Sequence, residues 1–161
     1  MLIDKEQVKA FLPHREPFLF IDSVESISGP SSTEGPVKDV KNLEGVEVKA
    51  NFYIAPEHPV LEGHFPGNPI VPGVIQVEMM AQTAGFTIAK LYAWPFKDIN
   101  LKMALLKVEN AKFRKPITPD MDLEIVSTCR KFKKSMSAYD CKIYHKGTLM
   151  SEASLLASFE Q

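Results

Sequence analysis

The sequence is poor in cysteine and tryptophan, with two cysteines and one tryptophan among 161 residues. Cys129 and Cys141 stand apart with no C-x-x-C spacing, so neither a disulfide framework nor a zinc cluster is expected. Both are read as reduced, buried thiols of a cytoplasmic protein. Net charge is scarce too, −1 at pH 7, which argues against a general polyanion or nucleic-acid binder. No apolar run suits a membrane span, because the longest is broken by Gln76, Glu78, Gln82 and Thr83. Asp4, Lys5 and Glu6 stand where a signal peptide needs apolar residues, so none is expected. There is no repeat, no G-x-S-x-G elbow and no phosphate-binding glycine loop. One domain over residues 1–161 is expected, large enough for a substantial core.

What the chain does contain is one continuous stretch, Gly63–Gln82, around which the rest is organised. It opens as a loop stiffened by Pro66, Pro69 and Pro72 and eased at Gly63, Gly67 and Gly73. It then runs into a helix of about eighteen residues, about 27 Å long. Val74, Val77, Ala81, Ala84, Ile88 and Leu91 recur at steps of three and four. Ile75, Met79, Met80 and Phe86 cover much of the remainder, so the helix belongs in the interior. Glu78 is the one charge between His64 and Lys90. A carboxylate there needs a partner or a task.

The other elements follow in order. Asp4 caps a helix Lys5–Leu12, with Gln7 at the capping-box position and Val8 and Phe11 facing inward. Strands are expected at Phe18–Val24, Val37–Lys41 and Val46–Ile54, with a loop at Gly29–Pro36 between the first two. After the helix, Trp94-Pro95-Phe96 closes its far end. Asn100–Lys115 reads as one long strand bent near Val108. Met121–Arg130, Met136–His145 and Thr148–Phe159 alternate as strands, the last two joined by a Lys146-Gly147 turn. The layout is α+β, a mostly antiparallel sheet curved round one long helix. Such a sheet leaves an edge that a second copy could cover, so a homodimer at least is expected.

His64 sits in a proline- and glycine-bound loop just before the helix, and Glu78 lies about one and a half turns inside it. One titrates near neutrality and the other is a carboxylate that burial would push up, a pairing able to divide base and acid roles. Between them the helix start presents unpaired amides, led by Gly73, that favour a developing negative charge. The set suits proton abstraction beside a carbonyl. A loop histidine and a helix glutamate each satisfied by the backbone fit the same spacing. His14 is read as structural, bonding its turn with Arg15. Glu57, His58, Glu62 and His64 fit no common zinc spacing, so no metal is expected.

Three separated segments carry a resemblance. Pro13-His14-Arg15-Glu16-Pro17-Phe18-Leu19-Phe20-Ile21-Asp22, then Gly63–Val74 followed by Glu78-Met79-Met80-Ala81-Gln82, then Val108–Ile117 closely resemble the 3-hydroxyacyl-acyl-carrier-protein dehydratases of bacterial fatty-acid synthesis. The resemblance implies the hot-dog fold, a long helix wrapped by an antiparallel sheet, in dimers that can assemble into hexamers. It implies no cofactor. It assigns His64 as the catalytic histidine, Glu78 as the catalytic acid supplied across the dimer interface, Gly73 as the amide polarising the thioester carbonyl, and Gln82 as an orienting residue. Glutamate rather than aspartate at position 78 points to the branch that dehydrates without isomerising.

The resemblance also implies an acyl tunnel, for which Phe65, Ile70, Val74, Ile75, Met79 and Phe86 are candidates. Acyl carrier protein, an acidic partner, would land on Lys112, Arg114 and Lys115 or on Arg130, Lys131, Lys133 and Lys134. Two departures bear on chain length and docking. The stretch between Asp22 and His64 is longer than the family's, and Ala104, Leu105 and Lys107 replace aromatics and a glycine. Two alternatives use the same pocket: a hot-dog thioesterase or hydratase, and a non-catalytic acyl-thioester binding module.

Overall fold

The computed structural model describes residues 1–29, 36–99 and 101–160. The expected loop from Pro30 to Gly35 and the expected strand start at Asn100 therefore lie outside the described residues. The first helix, α1 (Lys5–Phe11), begins where Asp4 Oδ1 accepts a hydrogen bond from the Gln7 amide at 3.0 Å. Such a cap is worth about 1 kcal/mol. Only half of the expected capping box forms, because Gln7 Oε1 accepts instead from the Phe96 amide at 2.8 Å. That bond ties α1 to the segment beyond the central helix. Phe11, fully buried on the inner face of α1, stacks on Phe86 and packs against Phe96.

Six strands follow: β1 (Ser23–Ser28), β2 (Glu47–Tyr53), β3 (Lys102–Phe113), β4 (Asp122–Lys133), β5 (Met136–His145) and β6 (Thr148–Glu160). They form one antiparallel sheet in the order β1-β2-β4-β5-β6-β3. Inward and outward positions alternate as the pattern predicts. Leu123, Ile125 and Ser127 on β4 and Tyr139, Cys141 and Ile143 on β5 are all buried. At the turn between β5 and β6, Lys146 and Gly147 both take positive φ, +48° and +77°. Those values match the twist of a tight hairpin. The expected long strand is β3, whose pairing with β6 shifts register between Leu105 and Lys107 and again between Glu109 and Lys112. Each irregularity bends the strand. β3 is a sheet edge, and its inward face carries half-exposed Leu105, Val108 and Phe113.

Two expected strands are corrected. Phe18–Asp22 does not join the ladder, and β1 starts only at Ser23. Leu19, Phe20 and Ile21 are buried while Phe18 is half exposed, and a buried side chain from the central helix, Gln82, occupies the backbone groups of Phe18 and Phe20. Val37–Lys41 is not a strand either. Asp39 Oδ1 accepts from the Lys41 amide and starts a 3-10 turn over Val40–Leu43, a local bond that competes with sheet pairing.

The central helix, α2 (Gly73–Gly85), lies in the concave face of the sheet, and Met79 to Gly85 are all buried. It is thirteen residues of α-helix continued by a tighter 3-10 segment, Phe86–Leu91, rather than one α-helix to Leu91. Thr83 Oγ1 donates back to the Met79 carbonyl at 2.9 Å, a bond that bends helices, and Gly85 propagates a helix poorly. The first turns depart from the expected burial, since Val74 is 76% exposed. The chain's own sheet covers the later turns and leaves this end open.

Candidate active site

The loop before α2 is held by its own backbone. The Phe65 and Asn68 amides each donate to the other residue's carbonyl, the Ile70 amide donates to the His64 carbonyl at 2.8 Å, and Gly67 supplies positive φ at +73°. The Val71 amide donates to the Ile117 carbonyl, so the loop is pinned to the chain just beyond β3. His64 is thereby presented half-buried, its ring stacked on Phe65 with centroids 4.0 Å apart. Its Nδ1 lies 2.8 Å from the Ile70 carbonyl oxygen. A carbonyl only accepts, so Nδ1 carries a proton, and in the neutral imidazole Nε2 is then the nitrogen with the free lone pair.

Pro72 precedes α2 and offers no side-chain cap. The first amides of the helix, including that of Gly73, are left without a helical acceptor. The face beside Gly73 is closed by Phe113 at the end of β3. A Cβ on residue 73 would lie 2.8 Å from the Phe113 Cζ. Any side chain on residue 73 would therefore have to displace the neighbouring ring. Phe113 is itself half exposed, so it walls the helix start from the inward face of the open β3 edge. Sequence reasoning passed over Phe113, because nothing local marks an aromatic at a strand end as the neighbour of a residue forty positions away.

One and a half turns into α2, Glu78 is mostly buried, its side chain 22% exposed. Gln82 Nε2 donates to Glu78 Oε1 at 2.9 Å and to the Phe18 carbonyl at 3.0 Å, while Gln82 Oε1 accepts from the Phe20 amide at 2.8 Å. The expected pairing of Gln82 with Glu78 is thus present, and Gln82 is anchored on its other side by a buried bond from the Phe20 amide and a part-buried one to the Phe18 carbonyl. His14 contradicts its expected role. Its ring does not bond the turn with Arg15; Nε2 lies 3.3 Å from Glu78 Oε1. Arg15 spends its guanidinium on the carbonyls of Lys9, Leu12 and His14. Among the described residues no ion pair joins His64 to Glu78 within the chain.

The tunnel candidates separate into two groups. Phe65 and Val74 are exposed and Ile70 and Ile75 half-buried around the helix start, whereas Met79 and Phe86 are fully buried core. The two basic runs separate as well. Lys112, Arg114 and Lys115 lie at the Phe113 end of β3, beside Gly73. Arg130, Lys131, Lys133 and Lys134 lie near the β4–β5 turn, which pairs with the opposite end of β6. Met136 faces Ser158 and Lys112 faces Glu152, so the runs are about 20 Å apart along the strands. Lys131, Lys133 and Lys134 rim a groove of about 430 Å³ floored by Met136, Ala138 and Leu156. Burial pushes the Cys129 and Cys141 thiols up to about 12, which rules out either as a thiolate nucleophile at neutral pH.

A family model described as ApeI-like, ApeI dehydratase, matches residues 40–153. The 3-hydroxyacyl-acyl-carrier-protein dehydratase FabZ of Bartonella henselae is 37% identical over 155 residues, covering 96% of this chain and 88% of that protein. The corresponding dehydratase of a Nitratiruptor species is 35% identical over 159 residues, covering 97% of each. The chain belongs to the 3-hydroxyacyl-acyl-carrier-protein dehydratase family. The family-model match contains His64, Gly73, Glu78 and Gln82 and leaves His14 outside it. One relative is much longer than this chain. The bifunctional enzyme LpxC/FabZ of Chlorobaculum tepidum is 32% identical over 161 residues, 98% of this chain and 30% of that protein.

Among solved structures, a dehydratase heterocomplex, ApeI:P from Xenorhabdus doucetiae, matches with a TM-score of 0.70 at 18% identity, covering 96% of this chain and 91% of that one. A mutant thioesterase of Pseudomonas aeruginosa matches with a TM-score of 0.59 at 12% identity, covering 99% and 95%. At those identities the likeness is one of fold, the hot-dog fold of this dehydratase family.

Proposed function

We propose that the chain dehydrates 3-hydroxyacyl thioesters carried on acyl carrier protein to trans-2-enoyl thioesters, a step of fatty-acid biosynthesis. The observation that carries the mechanism is the 2.8 Å contact between His64 Nδ1 and the Ile70 carbonyl oxygen. With Nδ1–H committed to the Ile70 carbonyl, Nε2 is free to remove the α-proton. The electron pair moves toward the thioester carbonyl, whose oxygen is held by the Gly73 amide. As that pair returns to form the C2–C3 double bond, the C3–O bond breaks. Glu78 gives its proton to the departing hydroxyl, and water leaves. His64 and Glu78 then exchange one proton with solvent to reset. Each proton transfer contributes ~10²–10⁴-fold in rate.

The acid and base of one reaction come from two copies of the chain in this reading. The open β3 edge, its exposed apolar face and the uncovered first turn of α2 support a homodimer through that edge. Antiparallel pairing of β3 with its copy would bring the Lys131–Lys134 run of one subunit toward the Lys112–Lys115 run of the other. A docking surface for an acidic carrier protein then spans both subunits, and a hexamer of such dimers is compatible with it. No helix among the described residues is long and apolar enough to cross a membrane, and we place the enzyme in the cytoplasm. ApeI:P is a dehydratase heterocomplex, so assembly with a second, different chain is the competing arrangement.

The test is absorbance of the enoyl thioester after adding 3-hydroxyacyl carrier protein, with free thiol followed in parallel. Enoyl product without thiol is expected. Thiol without enoyl product would mean a thioesterase, and neither would mean a binding module.

A further inference from the structure

Around Glu78 one polar atom has no explanation in the scheme above. His14 Nδ1 is buried and has no hydrogen-bond partner, while Nε2 of the same ring faces Glu78 Oε1 at 3.3 Å. A neutral imidazole carries one N–H. Placing it on Nδ1 would bury a donor with nothing to receive it and would aim the Nε2 lone pair at a carboxyl oxygen. Placing it on Nε2 makes a hydrogen bond to Oε1 and leaves only a bare lone pair on the buried side. Orphaned buried N–H groups are the rarer defect, so the Nε2–H form fits the site.

Oε1 of Glu78 then receives two donors, Gln82 Nε2 at 2.9 Å and His14 Nε2 at 3.3 Å. No hydrogen bond or ion pair to Oε2 is present among the described residues. An oxygen that accepts twice is a poor place for the acid proton. We propose that His14 is a positioning residue of the elimination: together with Gln82 it fixes Oε1 as a double acceptor, so that the transferable proton of Glu78 rides on Oε2 and points toward the leaving hydroxyl. Gln82 lies one turn along α2 and Gln82 itself is clamped by Phe18 and Phe20. His14 arrives from the segment after α1, so it locks the carboxyl from a second direction. The two contacts together remove the carboxyl's freedom to rotate. This inference rests on the dehydratase reading of Glu78.

The experiment has a spectroscopic and a kinetic arm. In the whole protein labelled with ¹⁵N-histidine, His14 is expected to carry its proton on Nε2, with that resonance shifting in Glu78→Gln. A proton on Nδ1 in the wild type overturns the proposal even if no variant can be purified, and so does a His14 signal indifferent to Glu78→Gln. Kinetically, His14→Leu is expected to lower kcat by about 10²-fold, the scale of a misplaced reacting group, with KM for the 3-hydroxyacyl carrier protein little changed. His14→Gln, which can bring an amide donor to the same oxygen, is expected to recover most of kcat. In a Glu78→Gln background His14→Leu should cost nothing further. Equal losses in His14→Leu and His14→Gln at equal melting temperature, or a loss confined to KM, overturn it. Wild-type protein that forms no enoyl product removes the dehydratase reading and this inference with it, whereas an active wild type with indifferent His14 variants removes this inference alone.

Discussion

Phe113 stands so close to Gly73 that a single added methyl group on residue 73 would come within 2.8 Å of its ring. The amide that would hold the thioester oxygen and the aromatic wall beside it are therefore one unit, built from the start of α2 and the end of β3. Gly73→Ala retains the amide but must displace the ring. Its kcat/KM for enoyl formation is expected to fall at least tenfold, the equivalent of about 1.4 kcal/mol in transition-state stabilisation. Gly73→Ala combined with Phe113→Leu should recover part of that loss. An unchanged rate in Gly73→Ala would mean that the ring has no part in shaping the site.

His64→Ala and Glu78→Gln remove the base and the acid. Each is expected to lower enoyl formation by ~10²–10⁴-fold while the far-UV circular dichroism and melting temperature stay near those of the wild type. Near wild-type turnover in either variant would cancel its assigned role.

Gln82 is fully buried and holds Phe18, Phe20 and Glu78 at once. Gln82→Leu leaves the buried Phe20 amide unpaired, at a cost of about 1–3 kcal/mol, and takes the donor from the part-buried Phe18 carbonyl and from Glu78. The melting temperature is expected to drop by roughly 5–15 °C for a chain of this size, and Phe18–Asp22 should exchange its amide hydrogens faster. Thermal melting with hydrogen exchange checks both.

The thiols set an alkaline limit. Burial raises Cys129 and Cys141 from an ordinary value near 9 to about 12. The unfolded thiols thus release protons at a pH where the folded ones still hold theirs. The associated stability is complete below about pH 9 and is lost as pH rises toward 12. The urea midpoint should fall between pH 8 and pH 10, and less steeply in Cys129→Ala/Cys141→Ala. An equal fall in the double variant would show that other groups govern the alkaline limit.

The β3 edge is the proposed seam between subunits. Charges placed on its inward face by Leu105→Glu and Val108→Lys are expected to leave a folded monomer in sedimentation velocity and to abolish enoyl formation, because acid and base would no longer meet. A dimer that persists with full activity would move the interface elsewhere.

Features set by near neighbours could be read from residue order alone. Asp4 caps α1 because Gln7 is three residues on, Lys146-Gly147 turns because both residues tolerate positive φ, and β4, β5 and β6 alternate because a pleated strand has a period of two. The loop-to-helix stretch around His64 and Gly73 belongs here too, since its bonds run over a few residues.

What tertiary structure alone decided lies in bonds between distant positions. Phe18–Asp22 has every local mark of a strand, yet Gln82, more than sixty residues away, takes its backbone groups. His14 reads locally as a turn residue, but the fold carries it to Glu78, and Gly73 reads as a position that eases its loop, but the fold closes Phe113 over it. Sequence patterning records which face of an element is apolar and where it can start or stop. It does not record which partner a buried polar group will find, because that is settled by packing the whole sheet around the helix.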